Sequence, residues 1–229
     1  MVAIVIPAKD EEQRIANVLR AAAGSRLADE IVVVSDGSTD RTAEIARGFK
    51  GVRVVELPYN MGKGGAMVAG VQAAKAGVIT FIYADLKGLR PDHIDSIIEP
   101  VIRDEADMCI GIFRGGKFWS DAAQKISPYI SGQRALKRRL FERVPEIAGT
   151  RLGVEVAMNM YAKRYRARIF RVVMDGVSNT HQERKMGLVK GAKARVQMWN
   201  EIAHAMVKLR KHERERIRER RVRHRRVGK

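Results

Sequence analysis

The feature that most constrains this chain is a regular alternation of short apolar runs with segments of helical periodicity. Val2–Ile6 is unbroken apolar sequence ended by Pro7, the pattern of a strand buried on both faces. Ile15, Val18, Leu19 and Ala22 follow at helical spacing. Ile31–Ser35 predicts a second buried strand, stopped at Asp36-Gly37, and Thr39-Asp40 offers N-caps for a helix carrying Ala43, Ile45 and Ala46. Val52–Leu57 predicts a third strand, ended by Pro58, and the glycine-rich Asn60–Gly65 leads into a helix with Met67, Gly70, Val71 and Ala74. Val78–Tyr83 and Asp107–Ile112 predict a fourth and a fifth strand. Between them Pro91 suits the first turn of a helix bearing Ile94, Ile97, Ile98 and Val101, which Pro100 is expected to kink or split.

Repeated strand–helix alternation gives an α/β fold, a parallel sheet with helices on both faces. Ligands of such sheets bind beyond the carboxyl ends of the strands. The residues there are Pro7-Ala8-Lys9-Asp10-Glu11, Asp36-Gly37-Ser38 and Ala84-Asp85, so three strand ends bring carboxylates to one crevice. Asp40 reads as a helix cap. Asp36 stands ahead of it beside Gly37, where a carboxylate either completes a turn or accepts hydrogen bonds from a ribose or base. Asp85 is either a turn residue or a hard oxygen ligand for Mg²⁺ or Mn²⁺. The turn Asn60-Met61-Gly62-Lys63-Gly64-Gly65 lacks P-loop spacing, yet glycines around a lysine at a helix start tolerate an anion.

Composition excludes several classes. The single cysteine, Cys109, lies in an apolar run and reads as a buried strand residue; it rules out a disulfide scaffold and fits a reducing compartment. The longest uncharged stretch, Gly64–Ala74, is 11 residues, too short to span a bilayer, and no basic segment precedes the apolar N-terminus. A cytoplasmic protein, able to sit peripherally on a membrane, is the expectation. There are 44 Lys and Arg against 26 Asp and Glu, a net charge of +18 that points to anionic partners. Half of it, +9, lies in Lys208–Lys229, a basic tail.

The motifs resemble family 2 glycosyltransferases of the GT-A fold. Ile4-Val5-Ile6-Pro7-Ala8-Lys9-Asp10-Glu11-Glu12, Val33-Val34-Ser35-Asp36-Gly37-Ser38-Thr39-Asp40-Arg41-Thr42, Asn60-Met61-Gly62-Lys63-Gly64 and Ala84-Asp85-Leu86 match in order and spacing. The resemblance extends to about residue 185 and is nearest to small dolichyl- and polyprenyl-phosphate sugar synthases, with glucosyl-phosphoglycerate synthases more distant. It implies a mostly parallel sheet in a single domain over 1–188, followed by a C-terminal helix and basic tail over 189–229. It also implies that Pro7, Ala8, Asp10, Glu11, Asp36, Ser38 and Lys63 line a pocket for a UDP- or GDP-linked sugar. Asp85 would hold the Mg²⁺ or Mn²⁺ that bridges the diphosphate. Two departures stand at that site: Tyr83 replaces the family's usual first carboxylate, and Lys87 follows where a neutral ligand is common. His181 is either an added metal ligand or a surface histidine.

In the second half, Ser131-Gly132-Gln133-Arg134 is similar to the family's segment facing the acceptor, so Ser131, Gln133, Arg134 and the strand-end Arg114 would contact an acceptor phosphate. Gly153-Val154-Glu155 resembles the family's Gly-x-Glu element, which makes Glu155, with Asp85, a catalytic candidate. Glu155 would be a general base for a hydroxyl acceptor, or would orient a cation for a phosphate acceptor; a first-turn helix acid is the plain alternative. Phe118-Trp119 fits a lid, a lipid-facing wedge or simple packing, and Arg184-Lys185 fits phosphate contact or solvation. Trp199, Ile202, Ala203 and Met206 form a helix face that docks on the body or on a second copy in a homodimer. The expected reaction is transfer from a nucleotide sugar to a polyprenyl phosphate, a lipid-phosphate acceptor at an anionic membrane surface, or to another phosphate-bearing acceptor. The competing readings are a soluble small-molecule or glycan acceptor, and a non-catalytic nucleotide- or nucleic-acid-binding scaffold. The tail has no aromatic residues for base stacking, which speaks against nucleic acid.

Overall fold

The computed structural model describes residues 1–114, 131–144, 147–149 and 153–179. In chain order the elements are β1 (Val2–Ala8), α1 (Ile15–Ala23), β2 (Glu30–Asp36), α2 (Thr42–Arg47), β3 (Val52–Leu57), α3 (Gly62–Ala73), β4 (Val78–Phe81), β5 (Leu86–Lys87), α4 (Pro91–Ile102), β6 (Met108–Arg114), β7 (Arg134–Lys137), α5 (Arg138–Phe141), a 3-10 turn (Ile147–Gly149), α6 (Val154–Arg164), β8 (Ile169–Asp175) and β9 (Ser178–Asn179). Seven strands form one sheet in the order β3-β2-β1-β4-β7-β6-β8, and β5 pairs with β9 in a small second sheet.

The chain builds outward from β1 through β2 to β3, all parallel, then returns to place β4 parallel on the other side of β1. This reversal between β1 and β4 opens the crevice where such sheets bind ligands. The expectation of parallel pairing holds for β1–β4 and for β6 with β8. β7 corrects it locally, lying antiparallel between β4 and β6.

Both faces of the sheet are covered, so β1 is apolar on each. Val2, Ile4, Ile6 and Ala8 join a core with Ile15, Val18, Leu19, Ile94, Ile97 and Ile98, whereas Ala3 and Val5 join Met67, Val71, Phe81 and Phe141. The two faces alternate with the period of two that a strand imposes. Small residues let α3 lie close to the sheet: a Cβ on Gly70 would stand 2.3 Å from Val5 Cγ1. Cys109 is buried as expected, and desolvation pushes its thiol up to about 12.

Three local expectations are corrected. β4 ends at Phe81, and the chain turns through Ile82–Asp85 before β5, so Tyr83 lies in a turn. The second helix begins at Thr42 rather than Thr39-Asp40. Pro100 does not split α4, which runs unbroken from Pro91 to Ile102. Among the described residues no helix is long and apolar enough to cross a membrane.

Candidate active site

The first two strand–helix loops are locked to each other by reciprocal hydrogen bonds. The Thr39 amide donates to Asp10 Oδ1 at 2.8 Å, and the Asp10 amide donates to Ser38 Oγ at 3.2 Å. The Glu12 amide donates to Asp40 Oδ2 at 3.0 Å, and the Arg41 amide donates to Glu12 Oε2 at 3.2 Å. Asp40 also accepts from the Thr42 amide at 2.9 Å, so it holds the first residue of α2 while bridging to the neighbouring loop. The Thr39 amide bond, aided by Lys9, holds Asp10 below the usual carboxylate range. Asp10 adopts a left-handed φ of 52°, a conformation asparagine and aspartate tolerate better than most residues.

Asp36, at the end of β2, is buried, and its Oδ1 accepts from the Met61 amide at 2.6 Å. It thereby fixes the turn ahead of α3. Gly37, at φ 60°, completes the junction: a Cβ there would lie 2.6 Å from the Asn60 nitrogen. Glu11 is buried and accepts from Arg14 Nε at 2.6 Å, so its carboxylate is engaged within the loop. Pro7, half-buried, and the buried Ala8 end β1 beside Asp36.

A second polar group links α3, α6 and the turn after β4. Lys63, in the first turn of α3, donates to Glu155 Oε1 at 2.8 Å, and the Tyr83 hydroxyl donates to the same oxygen at 2.7 Å. The Lys63 ammonium also stands 4.3 Å from the centroid of the Tyr83 ring. Burial works against the ionised form of Glu155, but the charges of Lys63 and Arg134 outweigh it and hold the carboxyl below its usual range. Burial, together with the Glu155 charge, raises the Tyr83 hydroxyl well above its ordinary value, so it remains a donor.

Arg134 turns into the protein. Placed by resemblance against an acceptor phosphate, it is fully buried, and its guanidinium bonds Asn159 Oδ1 at 3.0 Å, the Ser131 carbonyl and the Glu155 carbonyl at 3.5 Å. It therefore anchors α6 from within. Ser131 donates to the Gly111 carbonyl and the Gln133 carbonyl accepts from the Gly111 amide, so this segment also acts as internal scaffolding. Gln133 Nε2 is buried without a partner among the described residues. Arg114 ends β6 opposite Asp175 in the register. His181, Phe118, Trp119, Arg184, Lys185 and the helix and tail from 189 onward lie outside the described residues.

Asp85 lies half-buried in the turn after β4. No group of three or more His, Cys, Asp or Glu gathers around a metal position among the described residues. A hard cation held by one carboxylate, water and substrate phosphates still fits this donor set, since Mg²⁺ commonly binds in that way. The Tyr83–Glu155–Lys63 link escaped sequence reasoning because it joins residues 72 and 92 positions apart. Its traces were the reading of Glu155 as the carboxylate that orients a cation and an aromatic hydroxyl at the first position of the Tyr83-Ala84-Asp85 turn.

Residues 3–160 match the family model described as glycosyl transferase family 2. The 4,4'-diaponeurosporenoate glycosyltransferase of Staphylococcus aureus is 36% identical over 100 residues, which is 42% of this chain and 26% of that protein. The match thus spans about a quarter of the length of these curated relatives. Glucosyl-3-phosphoglycerate synthase from Mycobacterium tuberculosis, solved with Mn²⁺, UDP and glucosyl-3-phosphoglycerate, superposes with a TM-score of 0.72 at 22% identity, covering 90% of this chain and 79% of that one. The same enzyme with Mg²⁺ and UDP gives 0.68 at 21% identity, covering 91% and 78%. These neighbours come from the group that the sequence motifs placed at greater distance than the polyprenyl-phosphate enzymes.

Proposed function

The chain belongs to glycosyl transferase family 2, and from that premise we propose that it transfers a sugar from a nucleoside diphosphate sugar to an acceptor bearing a phosphate. The observation that carries this reading is the placement of Lys63. Lys63 stands at the head of α3, ion-paired to the buried Glu155, just past the turn that Asp36 fixes through the Met61 amide, and over the ring of Tyr83, two residues before Asp85. The crevice lies at the β1–β4 reversal of a GT-A fold. UDP is the first choice of nucleotide, supported by the solved complexes of the mycobacterial synthase with UDP and UDP-glucose.

Each residue then has a physical task. Pro7, Ala8, Asp10, Asp36 and Ser38 form the wall for base and ribose, with loops rigid enough to need little ordering on binding. Lys63 meets the charge that grows on the diphosphate as the sugar–phosphate bond breaks, which is where fixed charge lowers a barrier most. Asp85 would hold Mg²⁺ or Mn²⁺, which when bound supplies further charge for the leaving diphosphate. Glu155 takes the orienting role of its two candidate roles: a carboxylate already bound by an ammonium and a phenol is a poor proton acceptor. A phosphate nucleophile is anionic and requires no such base, whereas a hydroxyl of a phosphorylated acid would give up its proton to the departing diphosphate or to water.

Acceptors of two kinds fit: a lipid phosphate, for which the basic charge would supply membrane attachment, and a soluble phosphorylated acid. The complexes of the mycobacterial synthase with phosphoglyceric acid support the second. The test is product analysis with UDP-glucose and GDP-linked sugars against phosphoglyceric acid and a short polyprenyl phosphate, with Asp85→Ala as control. Sugar transfer lost in Asp85→Ala supports the reading. Nucleotide-sugar binding without transfer to any phosphate acceptor would favour a soluble glycan acceptor or a non-catalytic scaffold.

A further inference from the structure

The Tyr83 side chain is confined by three neighbours. A Cβ on Gly132 would lie 1.8 Å from Cε2, 2.3 Å from Cζ and 2.6 Å from the hydroxyl of Tyr83, so the ring occupies the space that a side chain at 132 would need. Its hydroxyl donates to Glu155 Oε1, and its ring lies under the Lys63 ammonium. Lys63 thus has an ion-pair partner and a π face, both supplied by groups that are themselves fixed from behind. Glu155 is anchored through its backbone carbonyl by the buried Arg134, and Gly132 sits two residues before that arginine.

We propose that Tyr83 is a positioning residue that fixes Lys63 for the β-phosphate of a bound nucleoside diphosphate, by sharing Glu155 Oε1 with it and backing its ammonium with the phenol ring. The proposal rests on the donor reading above and deepens it. A lysine loses considerable rotamer freedom when it grips a phosphate, and a lysine held beforehand loses less on binding. The type of residue matters as much as its place. A carboxylate at 83 would compete with the phosphate for the ammonium, whereas a phenol adds a hydrogen bond and a cation–π contact without adding charge. Tyr83, kept neutral, adds no negative charge beside the Lys63 ammonium.

The test compares nucleoside monophosphate with nucleoside diphosphate, which differ only in the phosphate that Lys63 is held to meet. Calorimetric titrations of the full chain use UMP against UDP, and GMP against GDP, each with Mn²⁺ present. In whichever series the unaltered chain binds, Tyr83→Phe is expected to weaken the diphosphate about tenfold and leave the monophosphate within about twofold. Gly132→Ala, which displaces the ring with its hydroxyl intact, is expected to give the same selective loss and serves if Tyr83→Phe fails to fold. A structural role alone would weaken both nucleotides equally. Equal loss, or no loss of the diphosphate, overturns the proposal while the donor reading stands. An unaltered chain that binds neither series overturns both.

Discussion

Glu155 is the residue on which acid sensitivity of the site turns. Its folded-state pKa is lowered, so its ionised form contributes stability in full above the ordinary carboxylate range. That contribution is lost as pH falls through the folded-state value. Asp107, held low by Lys137 and Arg168 despite partial burial, adds a second contribution of the same sign at the far end of the sheet. Urea unfolding should therefore show stability nearly flat from pH 7 to about 5 and falling below about pH 4. Glu155→Gln should lower stability near neutrality by about 1–3 kcal/mol, because Lys63 and Tyr83 lose a charged acceptor, and should make the acid fall shallower. An acid fall of unchanged steepness in Glu155→Gln would show that the buried carboxylate is not what titrates.

At the scale of elements, α3 offers a test in which propensity and packing oppose each other. Alanine is favoured over glycine inside a helix by about 1 kcal/mol, so Gly70→Ala on an exposed helix would stabilise. Here the new methyl would meet Val5 Cγ1 at 2.3 Å and Val34 Cγ2 at 3.1 Å, forcing α3 off β1 and β2. The expected result is destabilisation by about 1–3 kcal/mol in chemical denaturation, and a gain would mean the helix–sheet spacing yields easily. Asp40→Ala removes the acceptor of the first amide of α2 and the bridge to the Glu12 amide together, and should lower stability by about 1–2 kcal/mol on the same assay. Not every element carries its own signature in the chain. Ile15, Val18, Leu19 and Ala22 announced α1 because a helix buries a periodic face, and the carboxyl-end list followed from sheet topology alone. β7 was invisible as a strand because Arg134–Lys137 mixes two basic residues with two apolar ones, and its burial depends on α6 covering Arg134. The site was legible as a set of positions. A motif carries residue type but not the direction in which a side chain turns, and Arg134 turns inward to Asn159.

At the scale of the whole molecule, the charge of +18 decides how the protein meets its surroundings before any site is engaged. Half of that charge lies in the last 22 residues, whose Ile217, Val222 and Val227 are too sparse for an apolar stripe. Attachment to a surface would then be electrostatic, at about 1 kcal/mol for each basic side chain near an anionic bilayer, and it would fade as salt shortens the screening length. The full chain is therefore expected to sediment with vesicles rich in anionic lipid at about 50 mM salt and to be released at about 0.5 M, where screening acts over only a few ångströms. Neutral vesicles should leave it in the supernatant at either salt. Sedimentation that ignores salt would point to apolar insertion instead, and would shift attention from the tail to Phe118 and Trp119. Failure to sediment with anionic vesicles at low salt would remove the membrane from the argument and leave a phosphorylated acid in water as the acceptor to pursue.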